Sequence, residues 1–204
     1  YLERTNSGDV ARLAEHMILA NQFEQALPVL RQAMRQTLLQ GHVERAQKLL
    51  TRYEQVIERC GEERSSTIHH RIESRLLQGI LHNLQGDSSK AHACASQVMQ
   101  DAHLEGLTEL WSEAALMLAI TSLQLGDMEQ AELLMEVLER RLAMLERSSM
   151  QHKVLQAWYH MSRARQFQYH GQLDASEDAF KLLLQCLPEL DFPGALMSIC
   201  FNGL

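Results

Sequence analysis

Apolar residues recur along this chain at the spacing of an α-helix, with a short break every 20 to 25 residues. Ile68, Ile72, Leu76, Ile80 and Leu84, for example, are each four positions apart. Side chains at this spacing lie on one face of a helix and can be buried together. No segment shows the strict alternation of apolar and polar residues that is typical of a half-buried strand. The pattern therefore predicts an all-α fold.

The breaks between these segments are marked mainly by glycine. They fall at Gly41, Gly61, Gly86, Gly106, Gly126 and Gly171, and Asn21 and Ser148-Ser149 occupy gaps in the same rhythm. Glycine readily adopts the left-handed conformation that ends a helix, and an aspartate directly after it, as at Asp87 and Asp127, can cap the next helix. We therefore expect about ten antiparallel helices, arranged as hairpins near 23–60, 66–102, 107–147 and 150–188, with flanking helices near 8–20 and 192–204.

Alternate breaks share a second pattern, which predicts close packing within each hairpin. Five residues after Gly41, Gly86, Gly126 and Gly171 stands a small residue: Ala46, Ala91, Ala131 and Ser176. Seven residues before the same glycines stand Met34, Gly79, Ala119 and Ala164, three of which are small. A glycine inside a helix, such as Gly79, costs about 1 kcal/mol relative to alanine. We expect this glycine to allow two helices to approach closely.

These features resemble the tetratricopeptide repeat, which sets a small residue, a turn glycine, an alanine and apolar residues at fixed positions. The residues that carry the resemblance are Gly41, Ala46, Leu50 and Tyr53; Gly79, Gly86, Ala91, Ala95 and Val98; Ala119, Gly126, Ala131, Met135 and Leu138; and Gly171, Phe180, Leu183 and Pro188. The period here is 40 to 45 residues, longer than the roughly 34 of that family. The resemblance implies a right-handed superhelical solenoid, formed by residues 1–204 as one continuous unit.

The long repeats also resemble the helical arrays that follow the ATPase module in large bacterial signalling proteins, such as MalT-like regulators and ATPase-linked serine/threonine kinases. The segments Leu13–His16 and Phe23–Pro28 are similar to the start of those arrays. This resemblance implies a fragment of a longer cytoplasmic protein, with a non-catalytic role in protein binding or sensing. The alternative is a small-effector-binding regulatory domain of a transcriptional regulator or kinase, for which we expect an enclosed pocket of about 300 Å³ or more.

In tetratricopeptide arrays the first helix of each hairpin lines the concave surface, so the resemblance implies a partner-binding face. Its residues here are Arg31, Arg35, Glu73, Ile80, Asn83, Glu113, Trp158, Met161, Arg165, Gln168 and Tyr169. Arginines at both ends of this set and carboxylates between them favour an extended protein or peptide segment of mixed charge. The segment Trp158–Tyr169 is the richest in residue types that dominate interfaces. The apolar helix expected at 192–204 predicts packing under a following repeat or a homodimer.

The charge and the cysteines narrow the class of protein further. A net charge of −7 argues against a nucleic-acid-binding protein, because such proteins neutralise phosphates with lysine and arginine. Acidic residues concentrate between Glu105 and Glu146, which predicts a solvated helix face or, less often, a docking surface for a basic partner. Apolar runs such as Ala114–Ile120 are far shorter than the roughly 20 residues that span a bilayer. The four cysteines form no CxxC pair and predict free thiols in a reducing cytosol.

The sequence contains no recognisable catalytic or nucleotide-binding motif, since GxGxxG, GxxxxGK[ST], HExxH and GxSxG are all absent. We therefore expect neither an enzyme nor a bound cofactor. The densest group of potential metal ligands is His69-His70, with Glu62 and Glu63 nearby. Adjacent residues of a helix point about 100° apart, so we expect these two histidines to face different directions and to form no metal site.

Overall fold

The computed structural model of this protein describes residues 7–61, 65–144 and 150–186. These residues form nine α-helices and no strand, which confirms the all-α prediction. The helices are α1 (Ser7–Leu19), α2 (Phe23–Leu39), α3 (Val43–Cys60), α4 (Ser65–Leu84), α5 (Ser88–Leu104), α6 (Thr108–Leu125), α7 (Met128–Met144), α8 (Met150–Tyr169) and α9 (Leu173–Cys186). The helix expected at 192–204 and the repeat proline Pro188 lie outside the described residues.

Six turns between the described helices share one pair of backbone hydrogen bonds. At the end of α6, for example, the N–H of Gly126 donates to the carbonyl oxygen of Leu123 (3.2 Å), and the N–H of Asp127 donates to that of Ser122 (2.9 Å). This pair is the Schellman motif, which requires a left-handed residue after the helix. That residue has a φ between 58° at Asn21 and 86° at Gly126. Asparagine tolerates this conformation better than other side chains, so Asn21 can replace glycine in the rhythm.

Aspartate caps begin the second helix of two hairpins, as the sequence predicts. A side-chain oxygen of Asp87 accepts a hydrogen bond from the N–H of Lys90 (3.1 Å) at the start of α5. Asp127 Oδ1 accepts one from the N–H of Gln130 (3.0 Å) at the start of α7. Each bond satisfies a backbone donor that has no partner within the helix itself.

The helices pack in chain order, and the even-numbered ones also pack on one another. Each helix contacts the next along the chain; in addition α2 contacts α4, α4 contacts α6, and α6 contacts α8. Among the described helices, no two odd-numbered ones pack together to a comparable extent. Helices α2, α4, α6 and α8 thus form a continuous row, the even-helix row.

The hydrophobic core follows the even-helix row as a series of overlapping clusters. Leu30, Leu50 and Leu77 belong to a cluster formed by α1 to α4, and Leu76 and Leu118 belong to the next, formed by α4 to α6. Two further clusters join α6 to α7 and α8, and α6 to α8 and α9. Because α4 and α6 each contribute to successive clusters, burial of apolar surface couples every hairpin to its neighbours.

Gly79 lies at a close contact between α4 and α5. A Cβ atom added there would lie 2.9 Å from the Cβ of Cys94 and 3.5 Å from the carbonyl oxygen of Ala91, and it would overlap the end of the Met117 side chain. The small residue on the facing helix, Ala91, is fully buried. Close packing explains why a residue of low helix propensity stands in the middle of α4.

Candidate partner-binding face

Four of the predicted face residues meet in one ion-pair network on the even-helix row. Arg35 of α2 donates to Glu73 of α4 through Nη2 (2.7 Å) and Nε (3.1 Å), both to Oε1. The same guanidinium donates to Glu113 of α6 through Nη2 (3.0 Å) and Nη1 (3.3 Å). Arg31 approaches the other oxygen of Glu73, Oε2, at 3.5 Å. One arginine therefore connects three helices from three successive hairpins; we call these four residues the Arg35 network.

Burial and charge in the Arg35 network differ from one side to the other. The Glu73 side chain is only 1% exposed, whereas those of Arg31, Arg35 and Glu113 are 36 to 40% exposed. Burial lowers the pKa of the Arg35 guanidinium, but attraction and hydrogen bonds from Glu113 and Glu73 outweigh it and raise the pKa above its ordinary value. The carboxylate of Glu73 thus anchors the network from below, and the arginines present positive charge at the surface.

Ile80 and Asn83, predicted for the same face, lie further along α4. Ile80 is half-buried and packs against the two core clusters that meet at this helix. Asn83 is also half-buried, and its Oδ1 is buried without a hydrogen-bond partner among the described residues. This oxygen has almost no accessible surface, so a ligand on the face does not reach it in this structure.

The predicted face residues on α8 differ in how far they are exposed to solvent. Tyr169 is 54% exposed at the end of the helix, and Arg165 and Gln168 are half-buried. Trp158 is half-buried and packs against two core clusters, so much of its ring stabilises the fold. Met161 is a correction to the prediction, because its side chain is fully buried with Ile120 and Leu183. Met161 follows Trp158 by three residues, which rotates it about 60° toward the neighbouring helices.

Arg163, which the sequence also placed in the interface-prone segment, binds within the protein. Its guanidinium donates to Glu132 of α7 (3.0 Å), to Gln166 (2.9 Å) and to the hydroxyl of Tyr159 (3.2 Å). Gln166, which is 1% exposed, also donates to Glu132. The net effect of these hydrogen bonds raises the pKa of Arg163 against the opposing influence of its own burial. This cluster joins α8 to α7, so we assign Arg163 a structural role.

A second cluster of polar side chains, which the sequence did not predict, lies in the first half of α4. One potential ligand atom from each of His69, His70 and Glu73 lies within 4.8 Å of the others. The expectation for the two histidines considered them alone and did not include Glu73. At about 100° per residue, Glu73 is rotated only about 40° from His69 and about 60° from His70, and therefore lies between them. Glu73 follows His70 by three residues and His69 by four, and side chains at these spacings are neighbours on a helix, so the sequence pattern could have predicted this group. Glu62 and Glu63 lie outside the described residues.

Tyr53 of α3 orients one of these histidines. The Tyr53 hydroxyl and the Nδ1 of His70 are 2.7 Å apart, and the two rings meet edge to face. Burial, reinforced by the negative charge of Glu73, raises the pKa of the Tyr53 phenol, which therefore stays protonated at neutral pH. Burial also lowers the pKa of His70, so that its neutral form is favoured. When one ring nitrogen of a neutral imidazole is hydrogen-bonded, the other nitrogen can either accept a bond through its lone pair or donate its N–H, depending on the tautomer.

The described residues also contain an open depression between α5, α6 and α7. It has a volume of about 470 Å³, and Met99, Trp111 and Arg141 contribute to its lining. Arg141 stacks on the Trp111 ring (5.5 Å to its centre) and donates to the carbonyl oxygen of Thr108 (3.1 Å). The depression is wide open to solvent, so it differs from the enclosed pocket that we expect for a small-effector domain.

Comparison with known proteins adds no relative to these observations. No family model matches the chain, and no curated protein or solved structure is significantly similar to it. No described helix is both long enough and apolar enough to cross a membrane. The chemistry of this chain therefore has to be inferred from its own residues.

Proposed function

We propose that this chain is a non-catalytic helical-repeat module that binds a protein or peptide along the even-helix row. The observation that carries the proposal is the Arg35 network, which places partly exposed charges of both signs on one face of three consecutive hairpins. An extended segment with alternating charges would complement this face.

The packing order supports a solenoid in which the even-helix row forms the concave side. Even-numbered helices contact one another and odd-numbered helices do so less. A two-layer array bends toward the layer whose members lie closer together. This curvature agrees with a tetratricopeptide-like superhelix, although its handedness rests on the resemblance of the residue pattern alone. Solenoids of this kind characteristically bind partners along extended concave surfaces.

We propose further that the module belongs to a bacterial regulatory or signalling protein. The support for this step is the similarity of the repeats and of the segments Leu13–His16 and Phe23–Pro28 to arrays that follow an ATPase module. In such a protein the partner could be another domain of the same chain. Binding would then shift the array between curvatures only if the partner contacts one of them better.

Affinity capture with matched variants tests the proposed face. Arg165→Ala combined with Tyr169→Ala removes two side chains from the α8 end of the face, and Tyr169 is largely exposed. Arg140→Ala is the control, because Arg140 is exposed on α7 and, among the described residues, pairs only with Glu136 one turn away. We expect the double variant to recover much less of the proteins that the native chain captures, and the control to recover the same amounts. Equal recovery by the double variant, with its fold intact, would remove this face from consideration.

A further inference from the structure

The group at the start of α4 has the composition of a transition-metal site. His69, His70 and Glu73 each offer one ligand atom, and these three atoms lie within 4.8 Å of one another. Two imidazoles and one carboxylate are ligands that zinc accepts in sites with three protein ligands and one water. His69 and His70 are partly exposed, so an ion and its water can reach them from solvent.

The two oxygens of Glu73 have different surroundings, and this difference makes one of them available to an ion. Oε1 accepts two hydrogen bonds from Arg35, at 2.7 and 3.1 Å. Oε2 accepts a longer hydrogen bond from Nη1 of Arg31 (3.5 Å) and lies 3.9 Å from the Nδ1 of His69. Carboxylates that bind metal are themselves commonly held by a hydrogen bond from the protein. Arg35 therefore orients Glu73 while Oε2 points toward the histidines.

His70 is oriented in a comparable way by Tyr53. The 2.7 Å contact between the Tyr53 hydroxyl and His70 Nδ1 fixes the ring and one of its nitrogens. When Nδ1–H donates to the hydroxyl, Nε2 keeps its lone pair for an ion. Such a bond to the second nitrogen is the usual support of a metal-bound histidine, because it fixes both the tautomer and the ring direction.

We propose that His69, His70 and Glu73 bind one divalent transition-metal ion of the zinc class. Ligand atoms in a tetrahedral zinc site lie about 3.3 Å apart, since each bond is about 2.0 to 2.1 Å long. The ligand atoms must therefore move closer together than the 4.8 Å within which they now lie, and rotation of the partly exposed His69 side chain can supply much of this movement because Tyr53 holds His70 in place. The proposed metal site shares Glu73 with the Arg35 network, and a bound ion would add positive charge beside Arg31.

The positive charge of Arg31 opposes the binding of a metal ion at this position. Its guanidinium lies 3.5 Å from Glu73 Oε2 and would be repelled by a divalent cation. Its side chain is 40% exposed and can turn into solvent. Removing its charge should therefore strengthen zinc binding, whereas removing a ligand should weaken it. The two opposite responses distinguish a metal site from a general effect on folding.

Zinc titration of the untagged chain tests the proposal. The protein is freed of metal with a chelator and titrated against a chromophoric zinc indicator, and cobalt(II) absorption reports the coordination. We expect one zinc per chain, a cobalt spectrum of four-coordinate type, and a loss of affinity of about tenfold or more in His69→Ala and in His70→Ala. Arg31→Gln should bind more tightly, and His103→Ala, at an exposed position on α5, should bind as the native chain does.

Each variant is first checked by circular dichroism for the helix content of the native chain. The native titration decides the question without any variant, because failure of the native chain to bind one zinc ion would overturn the proposal. It would also be overturned if His69→Ala and His70→Ala, with unchanged helix content, bound zinc as tightly as the native chain. A change in zinc affinity in His103→Ala but not in these two variants would have the same consequence.

Discussion

Replacing Gly79 with alanine should destabilise the protein, although alanine is the better helix former. The added Cβ would lie 2.9 Å from Cys94 Cβ, which is closer than two such carbons approach in folded proteins. The Met117 side chain, which also meets the added atom, can rotate away because the contact involves its flexible end. The Cys94 Cβ cannot, because it is attached directly to the backbone of α5. Relief therefore requires α4 and α5 to separate.

The magnitude follows from two opposing effects. Alanine gains about 1 kcal/mol over glycine in helix propensity. Forcing one extra carbon into a closely packed interface costs about 1 to 3 kcal/mol. Because the obstacle is a backbone-linked carbon and the facing Ala91 is fully buried, we expect a cost near the upper end of that range. The net result for Gly79→Ala is a loss of about 1 to 2 kcal/mol in the free energy of unfolding.

Urea unfolding followed by circular dichroism measures this loss, and a double-mutant cycle assigns it. Cys94→Gly removes the obstructing carbon, so Gly79→Ala should be better tolerated in that background than in the native one. The expected coupling is about 1 kcal/mol or more, well above the scatter of independent sites. A Gly79→Ala variant that is about 1 kcal/mol more stable than the native protein, with no coupling to Cys94, would show propensity acting alone and refute the packing argument.

Three further changes test the turns, the Arg35 network and the half-buried His160. Gly126→Val should lower the free energy of unfolding by about 1 to 2 kcal/mol, because a β-branched residue resists the φ of 86°. Gly126→Asn should lower it less, and equal stabilities of the two variants in urea would argue against a conformational cause. Glu73→Gln should cost about 1 to 3 kcal/mol, because a neutral amide replaces a buried carboxylate that pairs with Arg35; an unchanged unfolding midpoint would contradict that role. Burial lowers the pKa of His160, so the unfolded chain binds the proton more readily, and stability should fall as the pH drops below the ordinary value of 6.5. His160→Gln should reduce this fall, and an unchanged pH profile would exclude His160 as a contributor.

Local sequence signals predicted the helices and their turns because the physics involved is local. A left-handed residue, an aspartate cap and an apolar stripe each act within a few positions along the chain. The close packing at Gly79 was also predicted from the sequence, since a glycine inside a helix lowers stability unless a neighbouring helix packs closely against it. The break at Asn21 followed from the rhythm, and its positive φ is one that asparagine tolerates.

Contacts between distant residues were harder to predict. The tetratricopeptide resemblance placed Arg35, Glu73 and Glu113 on one face, but the bonds among them span 38 and 78 residues of sequence. Their formation depends on how α2, α4 and α6 are spaced, which no local pattern encodes. Met161 was misplaced for a related reason, because a residue about 60° from the centre of a face is covered whenever the neighbouring helices pack closely.

The proposal that a partner binds along the even-helix row can be tested most directly by photo-crosslinking at matched glutamines. Gln124 and Gln168 lie on α6 and α8 of the row, whereas Gln47 and Gln97 are exposed on α3 and α5. A photoreactive amino acid is placed at each position in turn in cells of the source organism, and crosslinked products are identified by mass spectrometry. We expect the same protein, or the same segment of the parent chain, to crosslink at positions 124 and 168 and not at 47 and 97. Crosslinks confined to positions 47 and 97 would place the partner on the odd-numbered helices and contradict the account.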